Sequence, residues 1–165
     1  MAEAAIDLPD DLTERYAQVA AQLAAVVAGE PSLTARYATA ACMLSHAFAP
    51  RFFWTGFYVV DPDRPHELVV GPYQGTLGCL RIAFGRGVCG TAAAEARTVL
   101  VPDVHAFEGH IACDAASRSE LVVPVFDKDG HLAAVLDVDS TEPDAFGDID
   151  VQGLERICAL LLTTP

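Results

Sequence analysis

The chain is short of positive charge and of long apolar runs. Its 165 residues carry 10 lysines and arginines against 23 aspartates and glutamates, a formal net charge of −13. Such a balance repels phosphate backbones, which excludes nucleic acid and anionic membrane as expected partners. It does not exclude an anionic ligand, because one local site can oppose the global field. No apolar stretch is long and uninterrupted enough to span a bilayer. The opening residues, MAEAAIDLPDD, place acids where an export signal needs bases, so no signal peptide is read and the expected compartment is the cytoplasm. No two cysteines form a CxxC pair, and repeats, linkers and low-complexity tracts are lacking. What is present is a 52% hydrophobic and 20% charged composition, ample for a core and too apolar for disorder. The length suits one domain, residues 1–165, with residues 1–9 expected to be disordered.

Hydrophobic periodicity divides the chain. Residues 11 to about 28 read as an amphipathic helix striped by Leu12, Tyr16, Val19, Leu23 and Val26, with Gly29 as its stop. Ser32 is placed to cap a second helix, striped by Leu33, Tyr37, Ala40, Ala41, Leu44 and Phe48 and ended by Pro50. The period then changes. FFWTGFYVV (52–60) and HELVVGPYQ (66–74) read as strands joined by the turn DPDRP. A short strand near 80–84, a helix over roughly 88–96 and the extended TVLVP (98–102) follow. LVVPVF (121–126) and HLAAVLDVDS (131–140) form a hairpin, and a helix over 149–162 closes the chain. Helices at both ends of a mostly antiparallel sheet make an α+β fold. The segment 103–119 has no clear period, and loops of that length are disproportionately functional.

Five cysteines is an odd number, and in a reducing compartment any disulfide among them would be transient and catalytic. Cys42 and Cys158 lie on or beside apolar helix stripes and read as core fillers. Cys79, Cys89 and Cys113 lie in loops or at element ends. Cys89 begins a helix, where free N–H groups and the dipole favour a thiolate. Cys79 follows the flexible turn QGTLG, and Cys113 sits in the long loop. Three readings are open for these three: small apolar fillers, metal ligands together with Asp103, His105 and His110, or redox thiols in which one is oxidised and another resolves it. The order H-x4-H-x2-C matches no familiar zinc spacing.

Alternation along a strand puts Val135, Asp137 and Asp139 on one face and Leu136 and Val138 on the other. Paired carboxylates on one face are commonly just solvated, or they line a pocket for a cation. Trp54, Gly56 and Tyr58 share a face in the same way, with an apolar slot expected at the glycine between the rings. GRGVCG precedes a helix, and its N–H groups suit a carboxylate, although it lacks the residues of a phosphate loop. The pieces together describe a site for a small zwitterion beside a thiol.

WTGFY (54–58), GPYQG (71–75), FGRGVCGTAA (84–93), VPDVHAFEGHIACDAASRSELVVP (101–124) and LDVDS (136–140) resemble the free methionine-(R)-sulfoxide reductases, which are built on a GAF domain. The resemblance implies a six-stranded antiparallel sheet flanked by the terminal helices, and free L-methionine (R)-sulfoxide as substrate. It implies that Cys113 is the catalytic cysteine and that Cys79 and Cys89 occupy positions of resolving cysteines, Cys79 being the favoured partner. Glu120, Asp137 and Asp139 match the acidic residues at the substrate amine and sulfoxide, and Trp54 and Tyr58 the aromatic wall. Thioredoxin, with electrons from NADPH, would return the disulfide to dithiol; no bound cofactor and no metal are expected, and the family implies a homodimer. Phe53, Thr55, Ala115, Arg118 and Thr141 depart from the family pattern, none at a position with a chemical role. Three carboxylates close together cannot all ionise easily, so at least one should have a raised pKa and serve as proton donor. Two rivals stand beside this reading: a non-catalytic GAF sensor of a small ligand, and a metal-dependent hydrolase using His105, His110 and Cys113.

Overall fold

The computed structural model describes residues 8–111 and 113–163; most of the expected disordered segment, residues 1–7, lies outside the described residues. Two helices come first, α1 (Leu12–Val27) and α2 (Leu33–Ala47). Asp11 caps α1 by accepting from the Glu14 N–H at 2.9 Å, and Ser32 caps α2 by accepting from Ala35, as the sequence predicts. Strands β1 (Trp54–Asp61), β2 (Arg64–Gln74) and β3 (Arg81–Ala83) follow, then helix α3 (Gly87–Glu95) and strand β4 (Val99–Val101). A 3-10 turn, Val104–Ala106, opens the long loop, and β5 (Ser119–Phe126), β6 (Leu132–Ser140) and α4 (Asp148–Thr163) complete the fold.

The six strands form one antiparallel sheet in the order β3-β2-β1-β6-β5-β4. The alternation of side chains gives each face its own core. One face carries Phe57, Leu121, Val123, Val125, Ala134, Leu136 and Val138 against α1, α2 and α4. The other carries Trp54, Tyr58, Val122 and Val135 against Val88, Cys89, Ala92 and Ala93 of α3. The first core is thick and apolar; the second is thin, covered by α3, the long loop and the turn 75–80.

Three details of the helices differ from the sequence reading. Val26 is 62% exposed, and Val27 takes its place in the core. Leu33 is exposed, because the first turn of α2 projects beyond the packed face. Cys42 is exposed and is not a core filler, since Ala41 and Leu44 already fill the buried face of α2; Cys158 is buried as expected. The register of the amphipathic stripe was legible to within one residue, which is enough to misplace a side chain at its edge.

Among the described residues the helical layer holds two buried charges, and both are partnered: Arg36 of α2 donates to the Leu161 carbonyl of α4 at 2.8 Å, and Asp150 is the other. Asp150 in the first turn of α4 accepts from Arg51 at 2.6 and 3.1 Å, from the Tyr16 hydroxyl at 2.7 Å and from the Gly147 N–H at 2.9 Å. Tyr16 in turn lies flat against α4 at Gly153, where an added Cβ would fall 2.7 Å or less from three of its ring carbons. Alanine in a helix interior is worth about 1 kcal/mol over glycine. Overpacking a well-filled core costs roughly 1–3 kcal/mol, and here the ring is held by its hydroxyl and has nowhere to move. Gly153→Ala should therefore lower stability in spite of its better propensity, read as a lower urea midpoint with an unchanged slope.

Candidate active site

Strand register assembles the site on the thin face of the sheet. Trp54 of β1, Asp139 of β6 and Glu120 of β5 stand side by side in one row, and Gly56, Asp137 and Val122 form the next. Like charges directly opposite one another on adjacent strands are destabilising, so the Glu120–Asp139 pairing is a cost that the fold carries. Glu120 and Asp137 are each 6% exposed, Asp139 is half-buried, and one carboxylate oxygen of Asp137 is buried with no partner among the described residues.

Burial raises the pKa of all three carboxyls. It holds Glu120 and Asp137 well above the usual carboxylate range, and the neighbouring charge of Asp139 raises both further. Burial pushes Asp139 up to about 6, against the opposing effects of a hydrogen bond with Ser117 and of His110. His110 places Nε2 3.4 Å from Glu120 Oε2. Burial and like charge thus favour the protonated forms of two acids and a neighbouring thiol, the condition expected of a proton donor.

Cys89 is that thiol. Its sulfur lies 3.9 Å from Glu120 Oε1, and burial, then Asp137 and Glu120, push its pKa well above normal. The thiolate favoured by its place at the start of α3 is opposed by this environment. A helix terminus is worth roughly 0.3–1 kcal/mol to an anion, less than the cost of burying a thiolate against two carboxylates.

Cys79 and Cys113 are joined in a disulfide with Cα atoms 5.5 Å apart. This is the pairing the family resemblance implies, made between residues 34 apart on different loops. Beside it the Thr76 hydroxyl donates to Asp114 Oδ2 at 2.6 Å, and the Trp54 indole N–H donates to the Thr76 carbonyl at 3.0 Å. The Cys79 N–H donates to the Tyr58 oxygen. The turn 75–80 is thus tied to both the aromatic wall and the Cys113 loop. Thr76, Asp114 and Ser117 were missed in the sequence, where each reads as an ordinary polar loop residue.

The aromatic wall is built differently from the sequence expectation. Trp54 stacks between Tyr58, at 5.7 Å, and Tyr73, at 5.1 Å between ring centroids. Gly56 leaves no open slot: a Cβ there would lie 2.7 Å from the Trp54 ring and closer still to Tyr73. The glycine makes room for the stack itself. At the other side α3 begins at the pocket, where Gly87 and Val88 are lining residues and Arg86 makes no side-chain cap bond. Such a helix start suits an anion.

The residues of the expected metal set do not converge. His105 pairs with Asp103 at 3.1 Å on the exposed surface, His110 turns inward to Glu120, and Cys113 is in the disulfide. Among the described residues, ligand atoms close enough to share an ion occur in Cys89, Glu120 and Asp137, and in Asp127, Asp129 and His131. With the disulfide closed, the pocket keeps about 30 Å³ of free space.

The raised carboxyl pKa values make stability depend on pH. An acid whose pKa is higher in the fold stabilises it below its unfolded value, about 4. For Asp139 that contribution is lost as pH rises through about 6. Asp139→Asn should leave the oxidised protein more stable than the parent at pH 8, with the advantage vanishing towards pH 4. Urea midpoints at the two pH values check this, and equal pH slopes for parent and variant would contradict it.

The family model of the GAF domain matches residues 9–163. The chain is 45% identical to the free methionine-R-sulfoxide reductase of Escherichia coli over 149 residues, covering 90% of this chain and 87% of that protein. It is 44% identical to GAF domain-containing protein A of Dictyostelium discoideum over 148 residues, 90% of each. The X-ray structure of free methionine-R-sulfoxide reductase from Neisseria meningitidis in complex with its substrate superposes with a TM-score of 0.89 at 45% identity, over 95% of this chain and 92% of that one. The six-stranded antiparallel sheet and the cystine over a carboxylate pocket agree with these likenesses, and the chain belongs to the GAF-domain family of free methionine-R-sulfoxide reductases.

Proposed function

We propose that this protein reduces free L-methionine (R)-sulfoxide to L-methionine, with Cys113 as the catalytic thiol and Cys79 as the resolving one. The observation that carries the reading is the Cys79–Cys113 cystine lying across a pocket of buried carboxyls whose pKa values are raised. A sulfoxide sulfur becomes electrophilic as its oxygen takes a proton. In the dithiol form the Cys113 thiolate attacks that sulfur while Glu120, or one of Asp137 and Asp139, gives the oxygen its proton. Oxygen passes to Cys113, which becomes a sulfenic acid, and methionine leaves. Cys79 then attacks the sulfenic sulfur, water departs, and the cystine forms.

The same groups account for a free amino acid as substrate. The unpartnered oxygen of Asp137 is an acceptor for the ammonium group, and the start of α3 offers N–H donors to the carboxylate. Trp54 and Tyr58 give the methylthio group an apolar, polarisable wall. A peptide-bound methionine sulfoxide lacks both charges. Buried Cys89, with its raised pKa, acts in this scheme as a reserve thiol beside Glu120 and not as the first nucleophile. A pocket for a small ligand usually holds roughly 300–1,000 Å³, so the substrate enters the dithiol form, in which the Cys113 loop is free to move away. The enzyme so read is a cytoplasmic homodimer without a bound cofactor, recycled by thioredoxin with electrons from NADPH.

The decisive experiment follows NADPH oxidation with thioredoxin and thioredoxin reductase. Free L-methionine (R)-sulfoxide should be turned over; the (S) epimer and an N-acetylated amide should not. Cys113→Ser should abolish turnover, and Asp137→Asn should raise KM about tenfold or more, the scale on which a hydrogen bond to a charged ammonium group is felt. Turnover of no sulfoxide by the parent would return the chain to a ligand-sensing role.

A further inference from the structure

The disulfide proposed above has to be reopened from outside, and the turn that carries it has an unusual surface. Leu77 is 83% exposed and Leu80 is 75% exposed, the two most exposed of the large hydrophobic side chains among the described residues. They stand two positions before and one position after Cys79. The other exposed large hydrophobics, Val26, Leu33, Leu100, Phe126 and Ile149, belong to the helices or to the far strands. Leu80 accepts the Val70 N–H at its carbonyl, which anchors its backbone to β2 while its side chain stays in solvent.

The charge of the chain points to the same surface. Between Glu67 and Glu95 the sequence has no carboxylate, in a chain that carries 23. The charged residues in that stretch are Arg81, tied to Asp61 at 2.6 Å, and Arg86. Asp114, the carboxylate that comes up beside the turn, is engaged by the Thr76 hydroxyl. An apolar pair in a stretch of chain without a carboxylate of its own, beside an Arg81 whose charge is matched by Asp61 and Glu67, on a chain of net charge −13, has the composition of an interface centre, from which unpaired charge is depleted.

We propose that the turn 75–81 is the docking surface for a dithiol reductase protein of the thioredoxin type, which reads Leu77 and Leu80 and attacks Cys79. The proposal rests on the redox reading of the Cys79–Cys113 pair. A small thiol needs no apolar landing surface, so the exposed leucines favour a protein with an apolar rim around its nucleophilic cysteine. The partner's thiolate attacks Cys79 Sγ; the Cys79–Cys113 bond breaks, and its electron pair leaves on Cys113 as thiolate. The partner's second thiol then attacks the partner's own sulfur in the mixed disulfide. Cys79 leaves as thiolate and takes up that thiol's proton. The partner departs as a disulfide, having given two electrons.

The test reads this half-reaction alone, without any sulfoxide. Oxidised protein is mixed with reduced thioredoxin or with dithiothreitol, and loss of the cystine is followed by thiol alkylation and mass measurement. Leu77 also reaches the pocket mouth, so Leu80→Asn is the clean variant. The second-order rate with thioredoxin should fall about tenfold, the effect of removing an anchor side chain from an interface. Leu77→Ser should lower it further in the double variant, while the dithiothreitol rate of Leu80→Asn stays within about twofold of the parent. Equal thioredoxin rates for the parent, Leu80→Asn and the double variant would overturn the docking surface, as would parallel losses with both reductants. A parent that is reduced by thioredoxin yet turns over no methionine sulfoxide would instead refute the proposed substrate and leave the surface standing.

Discussion

Keeping three carboxyl groups on the buried face of a sheet is the constraint around which the rest of this structure is arranged. Register forces Glu120 directly opposite Asp139, with Asp137 one row away. Water is excluded from two of the three, and their pKa values rise as a result. The fold tolerates this because the opposite face of the same sheet is a predominantly apolar core packed by three helices. Protonation removes most of the penalty at the site, and the thick core offsets what is left.

Two buried aspartates show the difference between a charge that holds a fold and one held in reserve. Asp150 has an arginine, a tyrosine hydroxyl and a backbone N–H at hydrogen-bond distance, and joins α4 to α1 and the segment after α2. Asp137 is as buried yet keeps an oxygen with no partner. A buried acceptor left unmade costs about 1–3 kcal/mol, and the first has no such cost. The second is relieved only by a donor that arrives from outside, which is how an ammonium group would be recognised.

The sheet, its caps and the composition of the site were legible in the sequence because they depend on local periods. Alternation in LDVDS and WTGFY placed Asp137, Asp139, Trp54 and Tyr58 on one face, and register confirmed that face. The failures share one physical origin: they needed long-range packing. Gly56 reads as a slot only until Tyr73, from the neighbouring strand, is seen to occupy the space. Cys89 reads as an activated thiol only until Glu120 and Asp137 are brought against it. Thr76 and Asp114 carry no local signal at all, since their hydrogen bond exists only when two loops 38 residues apart meet.

The cystine and the pocket are one device, because they use the same loop. Closing the disulfide draws the Cys113 loop onto the turn of Cys79, where Thr76, Asp114, Trp54 and Tyr58 fasten it. What is left inside, about 30 Å³, is room for a water or two and not for an amino acid. An oxidised protein in this conformation presents Cys79 between two exposed leucines. In the proposed cycle, opening the bond frees the Cys113 loop to admit a small zwitterion, and closing it leaves the turn of Cys79 for the reductant, so that one covalent bond would select both partners.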